Sequence, residues 1–178
     1  MTATAVRADS PSASTVYIGL GSNLEGPAKQ VRRALKALGR LPQTRLLGVS
    51  NLYRNPAIGP GRQPDYVNAV AAIETGLEPH VLLDALQAIE ADQGRTRTAV
   101  RWQPRTLDLD LLLYGRRVID DGRLTVPHPH LHERAFVLKP LLDIAPDLHI
   151  PGRGDVATLL AGVPHAGLRP VEEGEEVL

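Results

Sequence analysis

Apolar and polar residues follow one another along this chain in two periods, one of strands and one of helices. Thr15 to Leu20 is a short β-type run ending in Gly19-Leu20-Gly21-Ser22-Asn23. Pro27 suits the first turn of a helix, where its missing N–H costs nothing. Val31, Ala34, Leu35 and Leu38 give that helix one apolar face, and Gly39 stops it. Residues 44–54 carry a second strand signal, followed by a loop rich in glycine and proline over 55–65. Tyr66 to Glu74 predicts a third strand. Glu78-Pro79 opens a second helix, with Val81, Leu82, Ala85, Leu86 and Ile89 predicted on its buried side and Gly94 at its end. Residues 95–106 form a second long loop. Leu107 to Tyr114 reads as a buried strand interrupted by two aspartates, and 116–126 as a hairpin turning at Asp121-Gly122. Two more helices are predicted over 134–144 and 155–161. Some strands adjoin through hairpins, so the pattern predicts an α+β fold, a mixed or antiparallel sheet with helices, over a doubly wound parallel sheet. There is no repeat.

Length and composition narrow this further. The chain has 178 residues, 43% hydrophobic and 22% charged, which fits one domain with a real core. The boundaries expected are a disordered leader over 1–14, a folded domain over 15–164 and a loose acidic tail over 165–178. The formal net charge is zero, which argues against nucleic acid as a partner. The absence of cysteine removes disulfides, thiolate nucleophiles and cysteine-bound zinc. No apolar run approaches the ~20 residues of a membrane helix, so no membrane partner is expected, and a cytoplasmic monomer is.

Asp108 and Asp110 are the first candidate chemistry. On a strand, residues i and i+2 share a face, with Cα atoms about 6.5–7 Å apart. Two carboxylates on one face of a leucine-rich strand are costly unless a cation compensates them. Hard divalent ions such as magnesium take carboxylate oxygens, and a metal pair can clamp a transferring phosphoryl group. The plain alternative is an edge strand with its aspartates in water. Arg95, Arg97, Arg101 and Arg105 precede the pair within one loop. Arginine forks bind phosphate oxygens, so metal and arginines together describe a polyphosphate site. A solvated basic loop is the alternative. Trp102, the one tryptophan, fits either a core anchor or a lid over substrate. His128, flanked by Pro127 and Pro129, suits a phosphate-binding or orienting role, whereas His130 and His132 read equally as surface histidines. Tyr66 and Asn68 share a strand face, where a ring beside an amide could stack on and bond a flat heterocycle. Phe136, the one phenylalanine, fits the core or a ligand. The glycine run Gly19-Leu20-Gly21 is neither a dinucleotide fingerprint nor a P-loop.

The stretch Arg101-Trp102-Gln103-Pro104-Arg105-Thr106-Leu107-Asp108-Leu109-Asp110-Leu111-Leu112 resembles the signature of the 6-hydroxymethyl-7,8-dihydropterin pyrophosphokinases. Ile18 to Leu24, Ser50 to Pro56, Gln63 to Asn68, Leu124 to Pro129 and Arg134 to Leu138 resemble the family's other conserved-order segments, so the likeness covers about 15–160. It implies a ferredoxin-like α/β sandwich with a mainly antiparallel central sheet. It also implies diphosphate transfer from ATP to 6-hydroxymethyl-7,8-dihydropterin, a step of folate synthesis that yields AMP and the pterin diphosphate. By this resemblance Asp108 and Asp110 hold two magnesium ions. Arg95 and Arg105 sit on the phosphates, and His128 contacts the α-phosphate side. Gln87, Glu90, Arg97, Trp102 and Arg134 complete the nucleotide shell, with Leu111, Arg123 and Thr125 beside the adenine. Tyr66 and Phe136 sandwich the pterin, Asn68 bonds its edge, and the Asn55, Pro56 and Ile58 loop reads its other donors and acceptors.

Two positions depart from the family pattern. Gln103 stands where the signature carries glycine, which bears on loop closure, and Thr98 stands where some members have lysine. Two other readings use the same residues: a different magnesium-dependent phospho- or nucleotidyltransferase, and an inactive module that keeps the pterin pocket.

Overall fold

The computed structural model describes residues 12–24, 26–94, 106–172 and 174–175. Among these described residues ten strands and four α-helices follow in the order β1 (Ser14–Ser22), α1 (Pro27–Gly39), β2 (Thr44–Val49), β3 (Tyr53–Asn55), β4 (Tyr66–Thr75), α2 (Pro79–Asp92), β5 (Asp108–Tyr114), β6 (Ile119–Asp120), β7 (Thr125–Val126), α3 (Ala135–Ile144), β8 (His149–Ile150), β9 (Gly154–Asp155), α4 (Val156–Ala161) and β10 (Arg169–Pro170). The main sheet runs β10-β3-β4-β1-β5, with β2 beside β3 along the same edge of β4, and every pairing is antiparallel. This is the α+β sandwich the sequence predicts.

Strand periodicity assigns the two faces. Val16, Ile18 and Leu20 of β1 meet Val31, Ala34 and Leu38 of α1 and Leu82, Leu86 and Ile89 of α2 in one core. The other face packs Val70, Leu112 and Leu113 under Val137, Leu138 and Leu141 of α3. Alternation in β5 breaks near its end, where the register against β1 slips between Tyr17 and Ile18. Leu112 and Leu113 therefore both join the α3 core, as a bulge permits. α3 and its partner α4 cover only one end of this face. Among the described residues no helix covers the other end, and the candidate site lies there.

Three expectations are corrected. Val81 is 51% exposed, not buried, because the apolar stripe of α2 runs through Leu82, Leu86 and Ile89 and ends on the buried Glu90. The strand signal at 44–54 splits into β2 and β3 at Ser50, whose N–H bonds the Val70 carbonyl and whose hydroxyl accepts the Val70 N–H. The segment from 165, expected to be loose, instead lays β10 along β3.

Candidate active site

Three neighbouring strands build the floor of the site. Asp108 and Asp110 on β5 stand opposite Gly21 and Gly19 on β1, and Gly21 in turn stands opposite Asn68 on β4. Partners across an antiparallel ladder share a face. One rung thus carries Asp108, Gly21 and Asn68 in line, a carboxylate at one end and an amide at the other. The two glycines add no side chains of their own, so neighbouring side chains reach over them. A Cβ on Gly19 would meet Leu112 at 3.4 Å, and one on Gly21 would meet Asn68 Oδ1 at 2.7 Å.

Above this floor lies a cavity of about 790 Å³ lined by Asn55, Ile58, Tyr66, Asn68, Asp108, Asp110, His128, Arg134 and Phe136. The structure thus brings nine of the sequence-predicted residues to one place. Pro56 lines a smaller adjoining hollow. Arg95, Arg97, Arg101, Trp102, Gln103 and Arg105 lie outside the described residues.

Among the described residues, five of the expected nucleotide shell do not line the cavity. Leu111 is buried at 4% exposure in the α1–α2 core, because it has the opposite strand parity to the aspartates. Arg123 pairs with Asp84 of α2, and Thr125 Oγ1 donates to Asp120 at 3.4 Å. Gln87 sits half-buried on α2. Glu90 has a different place again. It is 3% exposed, and its carboxylate accepts the Leu109 N–H at 3.2 Å. Glu90 therefore fixes the backbone between the two aspartates.

On the amide side, Asn68 Nδ2 donates to Asn55 Oδ1, and Asn55 Nδ2 donates to the Pro56 carbonyl at 3.1 Å. Both asparagines are buried. Both amides line the cavity, together with the rings of Tyr66 and Phe136. The Arg134 guanidinium lies 5.7 Å from the centre of the Phe136 ring, a cation–π distance.

His128 is held by its own backbone, whose N–H donates to the Leu112 carbonyl at 2.9 Å. Its Nδ1 accepts the His130 N–H at 3.2 Å. The neutral ring therefore carries its proton on Nε2. Burial, then the charges of Arg134 and His130, push its pKa down to about 4, while Asp108 pulls the other way. His128 is a neutral donor at pH 7.

The sequence reading missed several contributors. Gly19 and Gly21 were legible only as a weak glycine motif, although strand parity puts both on the aspartate face. Gln63, His130 and Glu133 also line the cavity. Asn23 Nδ2 donates to the Pro64 carbonyl at 3.3 Å, tying the turn after β1 to the 55–65 loop. No pattern in the sequence signals that pair.

Hard oxygen donors on one face, opposite glycines that leave room, fit a divalent cation. Among the described residues no group of three or more His, Asp or Glu forms a metal cage. Two carboxylates suffice for magnesium, which keeps waters and takes phosphate oxygens as its other ligands.

The family description 7,8-dihydro-6-hydroxymethylpterin-pyrophosphokinase (HPPK) matches residues 17–146. A 2-amino-4-hydroxy-6-hydroxymethyldihydropteridine pyrophosphokinase of Pseudomonas aeruginosa is 55% identical over 153 residues, 86% of this chain and 94% of that one. One of the same name from Haemophilus influenzae is 52% identical over 146 residues, 82% of this chain and 91% of that one. A solved wild-type Plasmodium falciparum HPPK-DHPS, with pterin and p-hydroxybenzoate, superposes with a TM-score of 0.66 at 12% identity. That likeness covers 86% of this chain but only 44% of the longer one, and it shows the shared ferredoxin-like α/β sandwich. With the family match spanning most of the folded residues, the chain belongs to the 7,8-dihydro-6-hydroxymethylpterin-pyrophosphokinase family.

Proposed function

We propose that this chain transfers the diphosphoryl group of ATP to the hydroxymethyl oxygen of 6-hydroxymethyl-7,8-dihydropterin, releasing AMP. The observation that carries this reading is the Asp108–Gly21–Asn68 rung. Asp108 stands at one end of this rung and Asn68 at the other, with Gly21 between them, and Asp110 and Asn55 line the same cavity. A pterin lying on the amide side points its substituent toward phosphates on the carboxylate side.

The chemistry is an in-line displacement. The pterin hydroxyl oxygen gives up its proton to solvent and forms a bond to the β-phosphorus of ATP. The bond from that phosphorus to the α–β bridging oxygen breaks, and AMP carries the electron pair away. Positioning and charge neutralisation supply most of the acceleration in such transfers. Asp108 and Asp110 would hold magnesium, which when bound neutralises phosphate charge. His128 offers an Nε2–H to a phosphate oxygen. Asn68 and Asn55 bond the pterin edge, Tyr66 and Phe136 enclose its faces, and Arg134 faces the phosphates. Arg95, Arg97, Trp102 and Arg105 are assigned to the nucleotide on the resemblance alone. The Ile58 and Pro56 side chains close the pterin end. The domain doing this work runs from β1 to β10, as a cytoplasmic monomer. No helix among the described residues is long and apolar enough to cross a membrane.

The decisive assay mixes ATP, magnesium and hydroxymethyl dihydropterin and identifies the nucleotide product. AMP is expected. ADP would indicate ordinary kinase chemistry, and retained pterin binding with no turnover would indicate an inactive module.

A further inference from the structure

The chain continues past residue 146, where the family match ends, and returns to the site. β3 has only three residues, with β4 on one side. Such a short strand does little to fix the Asn55–Ile58 loop that leaves it. Residues 164–171 cover its other side. Arg169 pairs with Arg54 and Pro170 with Tyr53, and the Val171 N–H donates to the Leu52 carbonyl at 2.9 Å. Pro170 falls at the alternate position, whose nitrogen faces away from β3, so its missing N–H breaks no ladder bond.

Just before β10 the chain turns at Gly167, with φ +87 and the Leu168 N–H bonded to the His165 carbonyl. There Gly167 lies against Pro56. A Cβ on it would stand 3.4 Å from Pro56 Cδ and 3.5 Å from Cγ. A hollow of about 270 Å³ separates this turn from Arg134 and Phe136. The far end of the 55–65 loop is tied separately by Asn23, as described above. Glu175 holds the outer end of β10, accepting from Arg169 at 2.9 Å and from the Glu172 N–H at 3.1 Å.

We propose that residues 164–171 are a positioning strap for the pterin-reading loop, with Gly167 against Pro56 and Val171 on Leu52 setting affinity for the pterin and not for ATP. This rests on the reading of Asn55, Pro56 and Ile58 as pterin contacts. The strap lies along β3 and the Asn55–Ile58 loop, and the carboxylate it bonds, Glu175, is at its outer end, so the two substrates respond differently to its loss.

The test compares three variants of the full chain. Gly167→Ala places a Cβ at a left-handed position against Pro56. Val171→Pro deletes the N–H that bonds Leu52. Gly152→Ala is the control, because Gly152 has φ +73 and a Cβ there meets nothing within 4 Å. It imposes similar backbone strain far from the loop. Pterin KM should rise about tenfold in each strap variant, the scale of one lost polar contact. Their ATP KM and kcat should stay within about twofold of the parent. Gly152→Ala should lower Tm comparably and leave both KM values alone. Unchanged pterin KM in the strap variants overturns the proposal, as does an equal rise in both KM values. If Val171→Pro does not fold, Gly167→Ala decides alone. AMP formation by the unaltered chain tests the activity independently, so failure of the strap and failure of the functional reading are distinct results.

Discussion

Gly21 faces Asn68 across the β1–β4 ladder so closely that a Cβ on the glycine would stand 2.7 Å from Asn68 Oδ1. No real Cβ tolerates that distance, so either the amide or the strand must move. Asn68 in turn donates to Asn55, which donates to the Pro56 carbonyl. Gly21→Ala therefore should disorder the amide relay without touching the carboxylates. A loss of about 1–2 kcal/mol, roughly tenfold in pterin KM, is expected from one misplaced buried amide. Steady-state kinetics with each substrate varied in turn checks this. A pterin KM equal to the parent's would show that the relay does not read the ligand.

Asp108 and Asp110 face the same cavity and repel each other when no cation lies between them. Asp108→Ala should abolish AMP formation, since metal stabilisation of phosphoryl charge is worth several kcal/mol, roughly a thousandfold or more in rate. The same change should leave the protein folded, checked by circular dichroism, so that lost turnover is not lost structure. Manganese titration in the presence of a non-hydrolysable ATP analogue should lose saturable binding. Near-normal turnover in this variant would remove the two-carboxylate assignment.

His128 gives a pH prediction whose sign follows from burial. Its pKa lies at about 4 when folded, against 6.5 for the free side chain. The unfolded chain therefore binds the extra proton first as pH falls. The contribution to stability is fully present above 6.5 and is lost between 6.5 and 4. In an NMR titration of the free protein, the His128 ring should remain neutral through pH 6 and titrate near 4. In the neutral form the nitrogen shifts should report the Nε2–H tautomer, since Nδ1 accepts the His130 N–H. A midpoint at or above 6.5 would mean the ring is solvated and not the neutral donor assigned here.

Much of the site was legible in the sequence because strand parity is a strict rule. It put Asp108 with Asp110 and Tyr66 with Asn68 on common faces. It equally puts Leu111 on the opposite face, in the core, so the family-based placement of Leu111 beside adenine meets a buried side chain. Helix parity was less reliable. Val81 belongs to the apolar count of α2 but lies outside the stripe that meets β5, where Glu90 is buried instead because the Leu109 N–H needs an acceptor. What sequence could not supply was which strands are neighbours. The rung joining Asp108, Gly21 and Asn68 draws on three segments far apart in the chain, and only the order β4-β1-β5 aligns them. The return of β10 to β3 was illegible for a related reason. Two ladder residues between a glycine- and proline-containing turn and an acidic run carry no periodic signal, and composition alone read the segment as a tail.

Tyr53 shows how the sheet holds α3, and with it Phe136 and Arg134, in place. It occupies the same rung as Asn68, is 3% exposed, and its hydroxyl donates to Asp143 Oδ2 at 2.6 Å. Asp143 also accepts from Asn51 at 3.4 Å and from Lys139 at 3.4 Å, so removing the hydroxyl does not orphan the carboxylate. Tyr53→Phe should then cost about 1.5–3 kcal/mol, the worth of one hydrogen bond to a charged group, measured by urea unfolding at pH 7. Burial, followed by the bond to Asp143, pushes the phenol pKa up to about 12. Folding thus favours the protonated phenol. Its contribution is complete below pH 10 and is lost as pH rises from 10 toward 12. The stability gap between parent and variant should narrow once pH passes 10. A gap that is absent at pH 7, or that widens above 10, would show that this bond does not tie the helix to the sheet.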